Sequence, residues 1–239
     1  MNEEINTVKE WYESSYLDNG LKAQRRYPNE ELLRFMGREF FDIPLKDRKD
    51  KHILEIGCGS CANLWMIAKE GFLTYGLDLS EEAINLGHKM LEEWGINGVD
   101  LKVGSMTKLP YKDKSLDAVV DILSAYCLDE ENFEICMKEI SRVLKPGGCF
   151  FSYTPGKNSD AFQNHKPSKL IDASTLNGIY RESSPYKGNH FPFRFIHFEE
   201  YTALMNKNGL EVTYSESISR SYYNRQEYFE FLVFQGSKL

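Results

Sequence analysis

The chain has 239 residues, 41% of them apolar, and a formal net charge of −7. That size and apolar share support one large domain with a full core, and the acidic balance argues against a long nucleic-acid footprint. No apolar run is long enough for a membrane span, and the charged first residues do not read as a signal peptide. There are five cysteines, an odd number. Cys58 and Cys61 flank a glycine turn with no second pair behind them, which fits a reduced, cytoplasmic protein.

Ile5, Val8, Trp11, Tyr12 and Tyr16 recur at helical spacing and predict a helix over residues 1–20. A second helix is expected to start at Pro28-Asn29-Glu30-Glu31, with Asn29 as cap and acids in its first turn. From Lys51 onward strand and helix patterns alternate. Strands are expected at 52–56, 72–78, 99–103, 115–123 and 149–154, the last after a break at Pro146-Gly147-Gly148. Helices are expected at 62–70, from Ser80 to about Trp94 where Gly95 stops the turn, and at 130–144. A helix near 198–208 and strands near 210–217 and 226–235 follow; with no helix between them the last two can pair as a hairpin. The succession predicts a doubly wound α/β fold, with a mostly parallel sheet covered on both faces and an antiparallel edge.

The strongest local signal is Glu55-Ile56-Gly57-Cys58-Gly59-Ser60-Cys61-Ala62, a G-x-G-x-x-G/A turn between a strand and a helix, with Asn63 just beyond it. Glycines there let the backbone turn tightly and approach a cofactor. Asp78 closes the next strand, nineteen residues after Gly59, where its carboxylate can accept hydrogen bonds from both hydroxyls of a ribose. Dinucleotides and S-adenosylmethionine (SAM) both use such a turn. A carboxylate at Glu55 is adverse to a pyrophosphate and favourable to a cofactor that carries an ammonium and a sulfonium; Glu55 can also serve simply to brace the loop.

The ordered set of motifs resembles that of the class I SAM-dependent methyltransferases. Ile53-Leu54-Glu55-Ile56-Gly57-Cys58-Gly59 is similar to their first motif and Gly76-Leu77-Asp78-Leu79-Ser80 to their second. Val103-Gly104-Ser105-Met106 resembles the adenine-binding turn, Leu116–Asp121 the fourth strand, and Arg142–Gly148 the turn before the fifth. The resemblance covers roughly residues 50–155. It implies a seven-stranded sheet, SAM as cofactor and S-adenosylhomocysteine (SAH) as product. It also implies that Gly57, Cys58 and Gly59 line the methionine end, with Glu55 and Asn63 beside them, that Asp78 binds ribose, and that Leu79 packs on adenine. Many members carry an acid at the position of Ser105; here the serine hydroxyl or the Met106 backbone would meet the adenine amine. Asp121 is expected to cap the cleft near the methionine end. In similar enzymes an N-terminal helix closes over the cofactor and a Tyr or Arg meets its carboxylate, which nominates Tyr16 and Arg26. A solvated basic turn is the alternative for Arg26.

Asp121-Ile122-Leu123-Ser124 is not an Asn-Pro-Pro-Tyr type motif, so planar amino acceptors are disfavoured. Tyr153-Thr154-Pro155-Gly156 offers no acid to share a metal with Asp121, so no metal site is expected. Residues 155–197 carry six lysine and arginine residues against three acids, in a chain that is otherwise strongly acidic. The aromatic and basic stretch from Gly188 to His197 then reads as an acceptor pocket, with Arg194 for an anion and His190 or His197 as base. The alternative is a packed loop in which His197 caps the next helix. The expected organisation is a helical cap (1–48), a SAM-binding core (49–155), an acceptor-site insertion (156–197) and a C-terminal helix and hairpin (198–239). The expected activity is methylation of a small anionic acceptor on oxygen, such as a phosphorylated or nucleotide-linked intermediate of surface polysaccharide synthesis. The expected protein is a monomer or homodimer that binds neither nucleic acid nor membrane. Rival readings are an N-directed or RNA methyltransferase, an NAD(P)-dependent oxidoreductase, and a non-catalytic SAM-binding partner.

Overall fold

The computed structural model describes residues 3–239, with side chains from Ile5 onward except at residue 23; residues 1 and 2 of the expected first helix lie outside the described residues. Helix α1 (Glu3–Asn19) leads through a 3-10 turn (Gly20–Ala23) to α2 (Glu30–Glu39) and the short α3 (Leu45–Arg48). The core alternates β1 (His52–Ile56), α4 (Leu64–Lys69), β2 (Leu73–Asp78), α5 (Glu81–Glu93), β3 (Asp100–Val103), β4 (Leu116–Ile122), α6 (Glu130–Val143) and β5 (Leu144–Pro155). An insertion holds α7 (Asp160–Gln163) and the paired β6 (Thr175–Leu176) and β7 (Phe193–Arg194). Helix α8 (Phe198–Lys207) and the hairpin β8 (Leu210–Tyr222) and β9 (Glu227–Lys238) end the chain.

Helix starts follow their expected chemistry. Asn29 caps α2 by accepting from Glu31 N at 2.8 Å, Ser80 caps α5 from Ala83 N at 3.0 Å, and Asp129 caps α6 from Asn132 N at 2.8 Å. Gly95, at φ +64°, ends α5 where the sequence places the stop.

The seven-stranded sheet runs β3-β2-β1-β4-β5-β9-β8, with β1 to β5 parallel and β9 antiparallel to both neighbours. Alternation along each central strand divides the core into two layers. Ile53, Val120 and Phe151 pack toward Leu32, Phe35 and Ile67, while Leu54, Val119 and Phe150 pack toward Phe133, Met137 and Ile140. Three strands exceed their expected bounds, β9 by running on to Lys238. β5 already pairs at Leu144, and the Pro146-Gly147-Gly148 break survives as a register shift against β4. β8 runs on to Tyr222 because β9 offers it a partner as far as Glu227. The order reverses between β1 and β4, and ligands of open α/β sheets bind in the crevice at such a point.

Candidate active site

The crevice opens where the chain leaves β1. Gly57 and Gly59 sit at φ +64° and +50°, and Cys61 shares the left-handed region at φ +67°. A Cβ on Gly57 would run into Cβ and Oγ of Ser124, and one on Gly59 would stand 2.9 Å from the Tyr16 hydroxyl. The backbone of this turn is therefore held between the end of β4 and helix α1, where only glycine fits. Ser124 Oγ donates to Gly57 O at 3.0 Å, which fastens the two strand ends together. The resulting cleft holds about 1110 Å³ counted out to its open mouth.

Its floor carries an unusual carboxyl. Glu55 is buried in β1; its Oε1 accepts from Asn63 Nδ2 at 2.5 Å, while Oε2 has no hydrogen-bond partner. Burial pushes this carboxyl up to about 8, against the opposing effects of Asn63 and the Arg25 charge. A buried oxygen without a partner beside a cleft calls for a cation or a donor from a ligand. Asp78, at the end of β2, also lines the cleft; its Oδ2 accepts from Gly59 N at 2.8 Å and its Oδ1 from Ser80 N at 3.0 Å. Each oxygen keeps acceptor capacity for a further hydroxyl. Leu79, Ser105 and Met106 line the cleft beyond Asp78. The Ser105 hydroxyl is engaged with the Thr107 hydroxyl at 2.7 Å and accepts from Thr107 N at 3.2 Å.

Helix α1 covers the cleft. Ile5, Val8, Tyr12 and Tyr16, one stripe of the helix, all line it. Tyr12 and Tyr126 join their hydroxyls at 2.9 Å, Trp11 Nε1 donates to Gly188 O at 3.2 Å, and Glu13 accepts from the Ser80 hydroxyl and from Glu82 N.

Most of the residues nominated from sequence for the cofactor meet here: Tyr16, Glu55, Gly57, Cys58, Gly59, Asn63, Asp78, Leu79, Ser105 and Met106 all line the cleft. Two do not. Arg26 points away and pairs with Glu93 at 2.6 Å on the surface; its neighbour Arg25 is the cleft residue. The correction is one position along an irregular segment, where no periodicity tells which residue faces inward. Asp121 is buried behind the wall. Its Oδ1 accepts from Ser124 N (3.1 Å) and Ala125 N (3.0 Å), and its Oδ2 from the Ser152 hydroxyl (2.9 Å). It shapes the turn that lines the cleft and does not line it, although burial still pushes its carboxyl up to about 6.

The expected acceptor loop is corrected as a whole, because none of residues 188–197 lines the cleft. His190 is exposed and stacks on Tyr180 at 5.0 Å. Arg194 is buried against the Phe133 ring, donates to Thr175 Oγ1 at 3.2 Å and pairs with Asp172 at 3.6 Å. His197 stands at the N-cap of α8, where its N–H donates to Glu200 at 3.3 Å. Phe191, Phe193 and Phe195 are core residues. Lys157, Arg181 and Lys187 are likewise ion-paired, with Glu200, Glu227 and Glu182, so most of the insertion's positive charge is neutralised within the fold. Cys58 and Cys61 stand in C-x-x-C spacing. Both are buried free thiols, and the Cys61 contact and burial push Cys58 well above the ordinary thiol range. Among the described residues no cluster of His, Cys, Asp or Glu could hold a metal ion, and no helix is long and apolar enough to cross a membrane.

Residues 53–148 match the family model described as "Methyltransferase domain". A fatty-acid O-methyltransferase of Mycolicibacterium smegmatis is 34% identical over 113 residues, 46% of this chain and 39% of that protein. A norajmaline N-methyltransferase of Rauvolfia serpentina is 32% identical over 156 residues, 63% of this chain and 51% of that protein. The chain thus spans about half or less of the length of these curated relatives. Among solved structures, a SAM-dependent methyltransferase from Methanosarcina mazei superposes with a TM-score of 0.66 at 24% identity, covering 80% of this chain and 93% of that one. The 1,6-didemethyltoxoflavin-N1-methyltransferase of Burkholderia thailandensis, with SAH bound, has a TM-score of 0.63 at 13% identity over 98% of this chain and 88% of that one. The chain thus carries a methyltransferase domain over residues 53–148, set within the sheet order and glycine turn described above.

Proposed function

We propose that the protein transfers the methyl group of SAM to a small, largely apolar acceptor that presents a carboxylate oxygen. The residues present fit the cofactor. The unpartnered Glu55 Oε2 suits its ammonium, the glycine turn suits a close backbone approach, and Asp78 keeps acceptor capacity for ribose hydroxyls. Leu79, Ser105 and Met106 would flank its adenine, and Arg25 would meet its carboxylate. A pyrophosphate would face Glu55 instead, which counts against a dinucleotide.

When bound, SAM supplies a methyl carbon already activated by a sulfonium leaving group. The chain's own task is to hold a nucleophile in line with that carbon and keep water away. The observation that carries the acceptor class is the absence of histidine and lysine among the described cleft residues, whose remaining walls include Ile5, Val8, Leu123, Cys127 and Leu128. Asp78 is tied to backbone amides, and the Tyr12 hydroxyl is pushed well above its ordinary range by burial, so neither is suited to deprotonate an alcohol. A carboxylate is nucleophilic without a base. The Tyr12–Tyr126 pair uses one of its two hydroxyl protons internally and keeps the other for an acceptor oxygen. The M. smegmatis relative, named for O-methylation of a fatty acid, supports an apolar carboxylate. A phosphorylated or nucleotide-linked acceptor, and RNA, lose their motive once Lys157, Arg181, Lys187 and Arg194 are paired.

Calorimetry with SAM and SAH tests the cofactor, and methyl-ester formation from medium-chain fatty acids tests the acceptor class. Micromolar binding and ester formation are expected. Failure to bind either cofactor form would overturn the activity. Turnover confined to alcohols or nucleotide-linked sugars would overturn the acceptor class.

A further inference from the structure

Between the 3-10 turn and α2, residues 24–29 form a strap with no regular structure that brings Gln24 and Arg25 over the cleft. A segment of this kind must be held from outside if it is to present one side chain reproducibly. Three sets of contacts hold it. Arg26 pairs with Glu93 on the surface at 2.6 Å, with both side chains about half exposed, which is worth little. Trp65 Nε1 donates to Arg26 O at 3.0 Å, and Tyr27 packs edge-on against the stacked pair Trp65–Trp94. The third contact is the buried one: Asn29 N donates to Asn63 Oδ1 at 2.9 Å.

Asn63 has a second bond from the other end of the same amide, since its Nδ2 donates to Glu55 Oε1. The two bonds require opposite characters, an acceptor toward Asn29 and a donor toward Glu55, so the amide has one orientation that serves both. The side chain is 3% exposed and sits just ahead of α4, at the end of the glycine turn. It links the strap to the cleft floor. Glu55 also feels the charges of Arg25, Asp78 and Asp121. Arg25, carried by the strap, is the cation of that group.

We propose that Asn63 is a positioning residue that ties the strap 24–29, and with it Arg25, to Glu55, so that the cofactor's amino-acid end is gripped from both sides by one hydrogen-bonded unit. This rests on the reading of the cleft as a SAM site and adds to it a residue that acts through Arg25. A side chain that merely stabilised the glycine turn would weaken cofactor binding whatever residue stood at position 25. One that positions Arg25 loses most of its effect when the guanidinium is gone.

A double-mutant cycle on the full-length protein, with SAH as the calorimetric probe, separates the two. Asn63→Ala and Arg25→Met are each expected to weaken SAH binding by roughly tenfold or more, and the double variant by little more than the worse single one. Fold losses that multiply in the double variant would overturn the inference. If Asn63→Ala does not fold, Trp65→Phe keeps the aromatic stack and removes only the N–H held by Arg26 O. It is expected to show a smaller loss that vanishes in the Arg25→Met background, and a loss unchanged there would overturn the inference equally. Absence of SAH binding by the wild-type protein would remove the cofactor reading itself, an outcome distinct from additivity in the cycle.

Discussion

Glu55 concentrates the conflict between stability and binding in this fold. Its carboxyl stands near 8, well above the 4.5 of an exposed glutamate, because burial penalises the charge. The folded protein therefore holds a proton that the unfolded chain sheds between about pH 4.5 and 8. The group's contribution to stability is fully present below the unfolded value and is lost as pH rises through the folded one. Glu55→Gln keeps the acceptor for Asn63 and removes the ionisation. The variant is expected to melt with the wild type at pH 4.5, and higher by roughly 5 °C or more at pH 8.5. It is also expected to bind SAH at least about tenfold more weakly at pH 7, since the ammonium loses its carboxylate. Melting curves at the two pH values and calorimetry check both halves, and equal SAH affinity in the variant would show that Glu55 only braces the loop.

At the scale of elements, the insertion is a packed support. Arg194 is the clearest case: its guanidinium lies on Phe133, bonds Thr175 and neutralises Asp172. Arg194→Ala would leave Asp172 without its cation and is expected to cost about 3 kcal/mol of stability, while His190→Ala, on an exposed ring, leaves melting and SAH binding unchanged. Urea unfolding and calorimetry on both variants check this; a stable Arg194→Ala protein that had lost turnover would restore the arginine to the acceptor site. The strands, helices and glycine turn were legible in the sequence because their signals are local: alternation along β1 and β4, caps at Asn29 and Ser80, and an acid at the end of β2. The role of residues 188–197 was not, because aromatic density is the same in a pocket wall and in a core. Phe193 meets Tyr126 at 4.4 Å and Phe195 meets Phe229 at 5.9 Å, partners that lie far away in the chain. Arg25 and Arg26 differ only in which way an aperiodic strap turns them.

For the molecule as a whole, these supports leave one element to act as a cover. The insertion is locked to the hairpin by Arg181 and Ser183 on the buried Glu227 and by Tyr186 on Phe229. The central strands beneath, β1, β4, β5 and β9, are buried on both faces. Helix α1 lies outside the sheet: the described contacts that hold it include the Trp11–Gly188 bond, the Tyr12–Tyr126 pair, the Glu13 contacts with Ser80 and Glu82, aromatic contacts to Phe191, and packing of Tyr16 with Ala83 and Leu86. An element laid over a cleft outside the sheet opens at lower free energy than the core does, and a ligand beneath it adds stabilisation in proportion to its binding. Amide hydrogen exchange with and without saturating SAH is therefore expected to slow several-fold or more in α1 and in residues 24–29. Exchange in β1, β4 and β5, already governed by global unfolding, should slow only by the overall gain in stability, and the insertion should follow the sheet. Protection concentrated in residues 156–197 would instead make the insertion the moving cover and return the acceptor site to it.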